Sequence, residues 1–206
     1  MASGIPMAPG LYFQYRDRAR TLDSVALYRT ESLTLTGAGE PERILVARAT
    51  PSLGAVLRVP PSRGRWFSEA EGAPPVALLS HGLWMRRYGG DPGIVGRALR
   101  LDGVATEVIG IMPASYAFPQ PHVDVWIPEP VTRTMQFGIF GYFGVARVRD
   151  GVSLAAAPVR RQLARSRRLR GDRTGPAGRR ARRLLAAGAP RRAPEPAGGA
   201  ARGLAD

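Results

Sequence analysis

All fifteen aromatic residues of this chain lie within its first 143 positions, and that asymmetry decides where a packed core can form. Of the 50 residues from 157 to 206, 38 are Ala, Arg, Gly or Pro and only six are Leu or Val. Ordering a backbone costs about 1–2 kcal/mol per residue, which so little apolar surface cannot offset. A short helix around Val159–Leu169 is compatible with the helix preference of Arg, Ala and Leu. Beyond Gly171 no regular structure is expected. The core must therefore come from the residues before the break near Ala156. A unit of about 150 residues buries roughly 68–70% of its unfolded surface, enough to fold without covalent staples.

The same break divides the charge. The net charge is +14, and all thirty basic residues are arginine. Residues 1–156 hold 16 Arg against 13 acids, whereas residues 157–206 hold 14 Arg against three. Basicity is thus a property of the tail. Three readings of that tail compete: a tether for nucleic acid or an anionic membrane, a solvated linker, or GC-rich codons read out of frame. The last yields mainly Ala, Arg, Gly and Pro, and the absence of Lys fits a GC-rich coding sequence. There is no Cys, which excludes disulfides and thiolate metal sites. No apolar run approaches the roughly 20 residues that span a bilayer. Residues 1–10 lack the basic and apolar regions of a secretory signal. As a sequence, the chain reads as soluble.

Within residues 11–156 the pattern alternates between strands and short helices. Leu11, Tyr15, Ala19 and Leu22 have the spacing of an amphipathic helix over Leu11–Leu22. Val25–Thr30, Ser32–Thr36 and Arg43–Thr50 read as strands, with Gly37-Ala38-Gly39 as a turn. Pro51 opens a short helix over Ser52–Leu57, and the stretch from Ser62 to Pro75 is a loop. Val76–Leu79 is a fully apolar strand of the kind buried on both faces. Ser80 is placed to cap a helix from His81 to Tyr88, which Gly89-Gly90-Asp91-Pro92 ends. Arg97–Leu101 and Glu107–Met112 form a hairpin around Asp102-Gly103. Val123–Ile127, between Pro121 and Pro128, reads as a strand and as a candidate edge. Phe140–Val148 is the last strand, and Ser153 can cap a final helix. The fold class is α+β, with mixed sheets, short helices and two packed subdomains. The expected organisation is a disordered residue 1–10 segment, a core domain at 11–156 and an arginine-rich tail at 157–206.

Catalytic readings find little support in these residues. Ser80 and His81 are neighbours on a helix and do not face each other, so a hydrolase pairing is poorly placed. A helix cap beside an exposed His is the simpler account. His122, between Pro121 and Val123, is the other His, and two His without an acidic motif do not make a metal site. The phosphate-cradling loop pattern is absent. Trp66, Phe67, Trp84, Tyr88 and Trp126 read as core. The aromatic, Pro-rich stretch Tyr116–Pro128 is loop-like and suited to recognition, although packing accounts for it better. No cofactor is expected.

The run from Ala70 to Pro119, AEGAPPVALLSHGLWMRRYGGDPGIVGRALRLDGVATEVIGIMPASYAFP, resembles the MacB-like periplasmic core domain of FtsX-type bacterial ABC transporter permeases. The residues that carry the likeness include Ser80, Trp84, Arg87, Gly90, Asp91, Pro92, Gly96, Asp102, Gly103, Gly110 and Pro113. Upstream matches run from Tyr15 to Arg20 and from Gly39 to Arg43. Downstream, Val125 to Pro128 (with Trp126) and Arg147 to Leu154 also fit, so the resemblance covers residues 11–156. These are signature positions with a structural role, and none is read as catalytic.

The resemblance implies a non-catalytic domain on the extracytoplasmic side of the inner membrane, coupling ATP-driven motion of membrane helices to substrate export or extraction. It implies an ABC ATPase subunit, a second permease copy and a periplasmic adaptor as partners, and no nucleic acid. Family members carry a membrane helix before this domain and three after it; this sequence has neither and reads as a fragment. It also departs from the family at Ser52-Leu53-Gly54, where an aromatic pair is usual. The alternative function is a basic nucleic-acid-binding protein acting through the tail.

Overall fold

The structure, a computed structural model, describes residues 6–37, 39–69, 75–133 and 141–153, together with the backbone of 184–186. Among the described residues there are ten strands. They are β1 (Pro6–Met7), β2 (Leu22–Thr36), β3 (Glu42–Ala49), β4 (Arg63–Gly64), β5 (Val76–Leu79), β6 (Ala98–Leu101), β7 (Val104–Ile111), β8 (Val123–Pro128), β9 (Tyr142–Val148) and β10 (Leu184–Ala186). The helices are α1 (Pro9–Arg18), α2 (Leu53–Leu57) and α3 (His81–Tyr88), with a 3₁₀ turn at Pro92–Ile94. The expected helices over Val159–Leu169 and after Ser153 lie outside the described residues. In the tail, Leu184–Ala186 pair antiparallel with Val145–Arg147 of β9, where composition led us to expect no regular structure.

The sheet is mixed and runs β1-β9-β2-β3-β8-β5-β7-β4. Off this path, β6 pairs with both β7 and the far end of β2, through Leu35↔Leu101 and Thr36↔Arg100. Strands β2, β3, β8, β5, β7 and β6 therefore make a closed circuit. Side chains alternate across a strand, and here the alternation separates an inside from an outside. Leu35, Val46, Val125, Leu79, Val108 and Leu99, one from each strand of the circuit, fall in a single buried cluster. The opposite face carries Ala47, Leu78, Ile109 and Trp126, covered by α2, by Phe67 and by Met112. A third cluster joins Tyr12 and Phe13 of α1 to Leu22, Leu27 and Val148.

Both ends of the circuit can be located. Leu83 of α3 is fully buried in the inner cluster. Arg86 of the same helix donates to Glu42 at 2.6 Å and to Asp124 at 3.1 Å, at the starts of β3 and β8. Helix α3 thus plugs one end. The other end, where β3 and β8 finish and β5 and β7 begin, is open.

Several expectations change once the pairings are known. Val25–Thr30 and Ser32–Thr36 are one 15-residue strand, and Glu31 continues it because Arg29 and Arg48 neutralise its charge. β8 is not an edge: it lies between β3 and β5. Its prolines are tolerated because Pro121 precedes the strand and Pro128 ends it, with Glu129 N donating to Ala49 O at 2.8 Å just beyond. The first helix begins at Pro9 and ends at Arg18, burying Tyr12 and Phe13. The hairpin turn is as its sequence demands, with φ of 46° at Asp102 and 82° at Gly103, the positive pair of a tight β-turn.

Candidate functional site

The signature residues turn out to build the framework around α3 and the hairpin. Ser80 Oγ accepts from Leu83 N at 3.0 Å, which caps α3. Substituting Ser80 with alanine is expected to cost about 1 kcal/mol of stability, checked by urea denaturation, without affecting any binding measured at the cleft described below. Trp84 Nε1 donates to Asp91 O at 2.8 Å, and Asp91 Oδ1 accepts from Gly93 N at 2.8 Å, so the 3₁₀ turn that opens at Pro92 is held to the helix. Arg87 donates to Glu42 at 3.0 Å and to Glu40 O at 2.6 Å. Gly90 and Gly96 adopt φ of 75° and 89°. Gly96 N also reaches Val108 O at 2.7 Å.

The rest of the set is equally local. Asp102 Oδ1 accepts from Thr34 N at 2.7 Å, which ties the hairpin of Asp102 and Gly103 to β2. At Gly110 a Cβ would stand 2.8 Å from both Arg63 O and a Leu78 methyl, so glycine lets β4 approach β7. Pro113 O accepts from Tyr116 N at 2.9 Å where the chain leaves β7. Trp126 Nε1 donates to Phe118 O at 3.0 Å. His81 rests edge-on against Trp84, and His122 is exposed. Among the described residues no cluster of His, Asp and Glu could hold a metal ion.

The aromatic stretch is core. Tyr116 packs on Trp126 with ring centroids 5.0 Å apart, and Phe118 packs on Tyr28 at 4.9 Å. Burial pushes the Tyr28 phenol up to about 12 and raises Tyr116 further. At Ser52-Leu53-Gly54, Trp66 packs directly against the backbone of Gly54. Its indole lies 3.1 Å from where a Gly54 Cβ would be.

What the sequence did not disclose is at the open end of the circuit. There Arg29 and Glu31 of β2, Arg48 of β3 and Glu129 after β8 meet on the inward face. Glu129 is 6% exposed. Its Oε1 accepts from the Tyr142 hydroxyl at 2.7 Å, and its Oε2 faces Arg29 at 3.3 Å and Arg48 at 3.9 Å. Arg29 donates to Glu31 Oε2 at 2.7 Å, and Arg48 Nε donates to Glu31 Oε1. Two cations and two anions balance. Burial alone would push the Glu31 carboxyl up, but Arg48 and Arg29 outweigh it and hold it below its ordinary 4.5. The nearest sequence signal is Glu129 between two prolines, a carboxylate in a segment too stiff to carry it to solvent.

Arg48 and Glu129 of this quartet line a cleft of about 560 Å³ whose walls include Leu33, Val104, Ile127 and Val131. Mouths of barrels are common ligand sites, and this volume suits a small molecule. The acid-sensitive part follows from sign. Glu31 and Glu42 both titrate below their ordinary values in the folded state, Glu42 through its bond to Arg86. Their contribution is complete above about pH 4.5 and is lost as pH falls through the folded values. Urea midpoints should therefore drop from pH 5 towards pH 3, and less steeply in Glu31→Gln.

No helix among the described residues is long and apolar enough to cross a membrane. No curated protein sequence matches the chain. The sequence profile of the MacB-like periplasmic core domain matches residues 4–160. Solved structures with the same fold include the extracellular domain of the noncanonic ABC-type transporter YknZ from Gram-positive bacteria. It is 16% identical, with 77% of this chain and 82% of that one covered and a TM-score of 0.55. A domain of a putative permease from Porphyromonas gingivalis is 16% identical over 81% of this chain and 72% of its own, with a TM-score of 0.56. The periplasmic region of MacB from Actinobacillus actinomycetemcomitans is 13% identical over 80% and 74%, with a TM-score of 0.57. With that profile spanning three quarters of the sequence, the chain belongs to the MacB-like periplasmic core domain family, the extracytoplasmic part of ABC-type transporter permeases.

Proposed function

We propose that this domain is a non-catalytic coupling element that passes ATP-driven motion of membrane helices to the export or extraction of a substrate. Family membership carries the reading. Coupling of this kind needs a stiff body joined firmly to the segments that move it. The N-terminal segment and the last strand of the domain are bonded to each other: Pro6 pairs with Phe143 and Met7 with Tyr142. Arg149 N donates to Thr21 O at 3.0 Å, and Arg147 Nε donates to Val56 O at 2.8 Å. A displacement of either segment is thereby imposed on the whole sheet. The partners on this reading are an ABC ATPase subunit, a second permease copy and a periplasmic adaptor, with the domain on the extracytoplasmic face of the inner membrane.

The test is a short glycine insertion between Ile5 and Pro6 in the permease, ahead of the β1–β9 pairing, assayed in vesicles with its ATPase. ATP hydrolysis should persist while export falls by about tenfold or more, because the lever is slackened and the motor is not. Export that proceeds unchanged through the slackened link overturns the coupling role. A turnover reaction catalysed by the purified chain overturns the non-catalytic one.

A further inference from the structure

We propose that the cleft at the open end of the circuit binds a small amphiphile, an apolar chain bearing a single anionic head, with Arg48 as the group that receives the head. The argument begins with what Arg48 has left to offer. Its Nε is committed to Glu31, and Glu129 stands behind it with a side chain only 8% exposed. Among the described residues its two terminal nitrogens make no hydrogen bond, its side chain is 28% exposed, and it lines the cleft. A guanidinium held from behind through Nε, with its remaining fork free, is pre-organised for a carboxylate or phosphate.

The acids around the cleft do not compete for that role. Glu129 also lines the cleft, but it is 6% exposed, its Oε1 accepts from Tyr142 and its Oε2 faces Arg29 and Arg48. Asp102 accepts from Thr34 N. Glu69 at the rim lies 3.6 Å from Arg16, which leaves Arg16 as a second, weaker cation at the opening. Beyond the fork the walls are apolar. Val104 is 53% exposed there, one of two large apolar side chains so exposed among the described residues. Leu33, Ile127 and Val131 continue that surface. A cationic donor site at one end of an apolar wall fits an anionic head on an apolar tail better than a free ion or an amine.

Titration calorimetry on the full chain, with decanoate, decyl phosphate and decyltrimethylammonium below their micelle concentrations, tests this. At least one of the two anions should bind, and the cation should bind about tenfold more weakly or not at all. Whichever anion binds more tightly identifies the head as carboxylate or phosphate. Arg48→Lys keeps a charge for Glu31 but loses the fork, and should weaken binding by about tenfold. Val104→Asp alters an exposed position, so the fold survives, and should weaken binding to a similar degree. The arginine-rich tail could hold anions unspecifically. Binding that survives both substitutions is binding by the tail and overturns the proposal. So does inorganic phosphate binding as tightly as decyl phosphate, or the cation binding as tightly as either anion. This site does not depend on the coupling role, since calorimetry on the isolated chain involves no transport.

Discussion

Replacing Trp126 with alanine is expected to destabilise the domain by about 3–5 kcal/mol, the largest effect of any single truncation considered. Trp126 is 1% exposed and lies on β8 between β3 and β5, so its ring is enclosed by the outer-face cluster. Removing it leaves a cavity against Tyr116 and orphans the Phe118 carbonyl, which its Nε1 now satisfies at 3.0 Å. The two losses add, because an unmet buried acceptor carries its own penalty. Trp126→Phe should retain much of the packing and lose chiefly the hydrogen bond, costing about 1–2 kcal/mol. Guanidinium denaturation followed by circular dichroism checks both, with Trp66 and Trp84 remaining as fluorescence reporters. Equal losses in the two variants would show that the bond, and not the volume, dominates.

Glu129→Gln is expected to cost about 2–4 kcal/mol, although it removes no volume and keeps a partner for Tyr142. What it removes is the charge that balances Arg29 and Arg48 alongside Glu31. The arginines are about one-third exposed, so solvent screens part of the penalty, which holds the figure below that of a fully buried pair. Adding Arg29→Gln should recover about half of the loss or more, since the quartet becomes neutral again. Denaturation midpoints of the two singles and the double give the coupling directly. If Glu129→Gln is silent, the quartet is a solvated cluster and does not hold the mouth of the circuit together.

Both residues show where sequence reasoning stops. Trp126 was legible as core, because an alternating VDVWI segment with a Trp can hardly be anything else. Its place between two strands was not legible, since flanking prolines suggested an edge and only the pairing with β3 and β5 shows that they fall beyond the ladder. Ser80, the α3 boundaries and the Asp102-Gly103 turn were legible to the residue. Each is decided by local chemistry: a hydroxyl within reach of Leu83 N, glycines that end a helix, and two adjacent residues able to adopt positive φ.

Glu31 shows the reverse. Read alone, a glutamate between two apolar runs divides a strand. In the folded chain, Arg48, seventeen positions away, and neighbouring Arg29 make it an ordinary strand residue. Glu129 and Arg48 are 81 positions apart and meet only because β3 and β8 run parallel and end together. The cleft follows from the same long-range register.

The sequence by itself determined the family and the elements whose ends are set by caps, turns and prolines, because those elements depend on residues within a few positions of one another. The closure of six strands through β6, the inward face of β2 and the balanced charges at the open mouth were decided only by the tertiary structure. They rest on strand pairings between distant segments, and a sequence pattern of period two says that a side chain faces inward without saying what it will meet there.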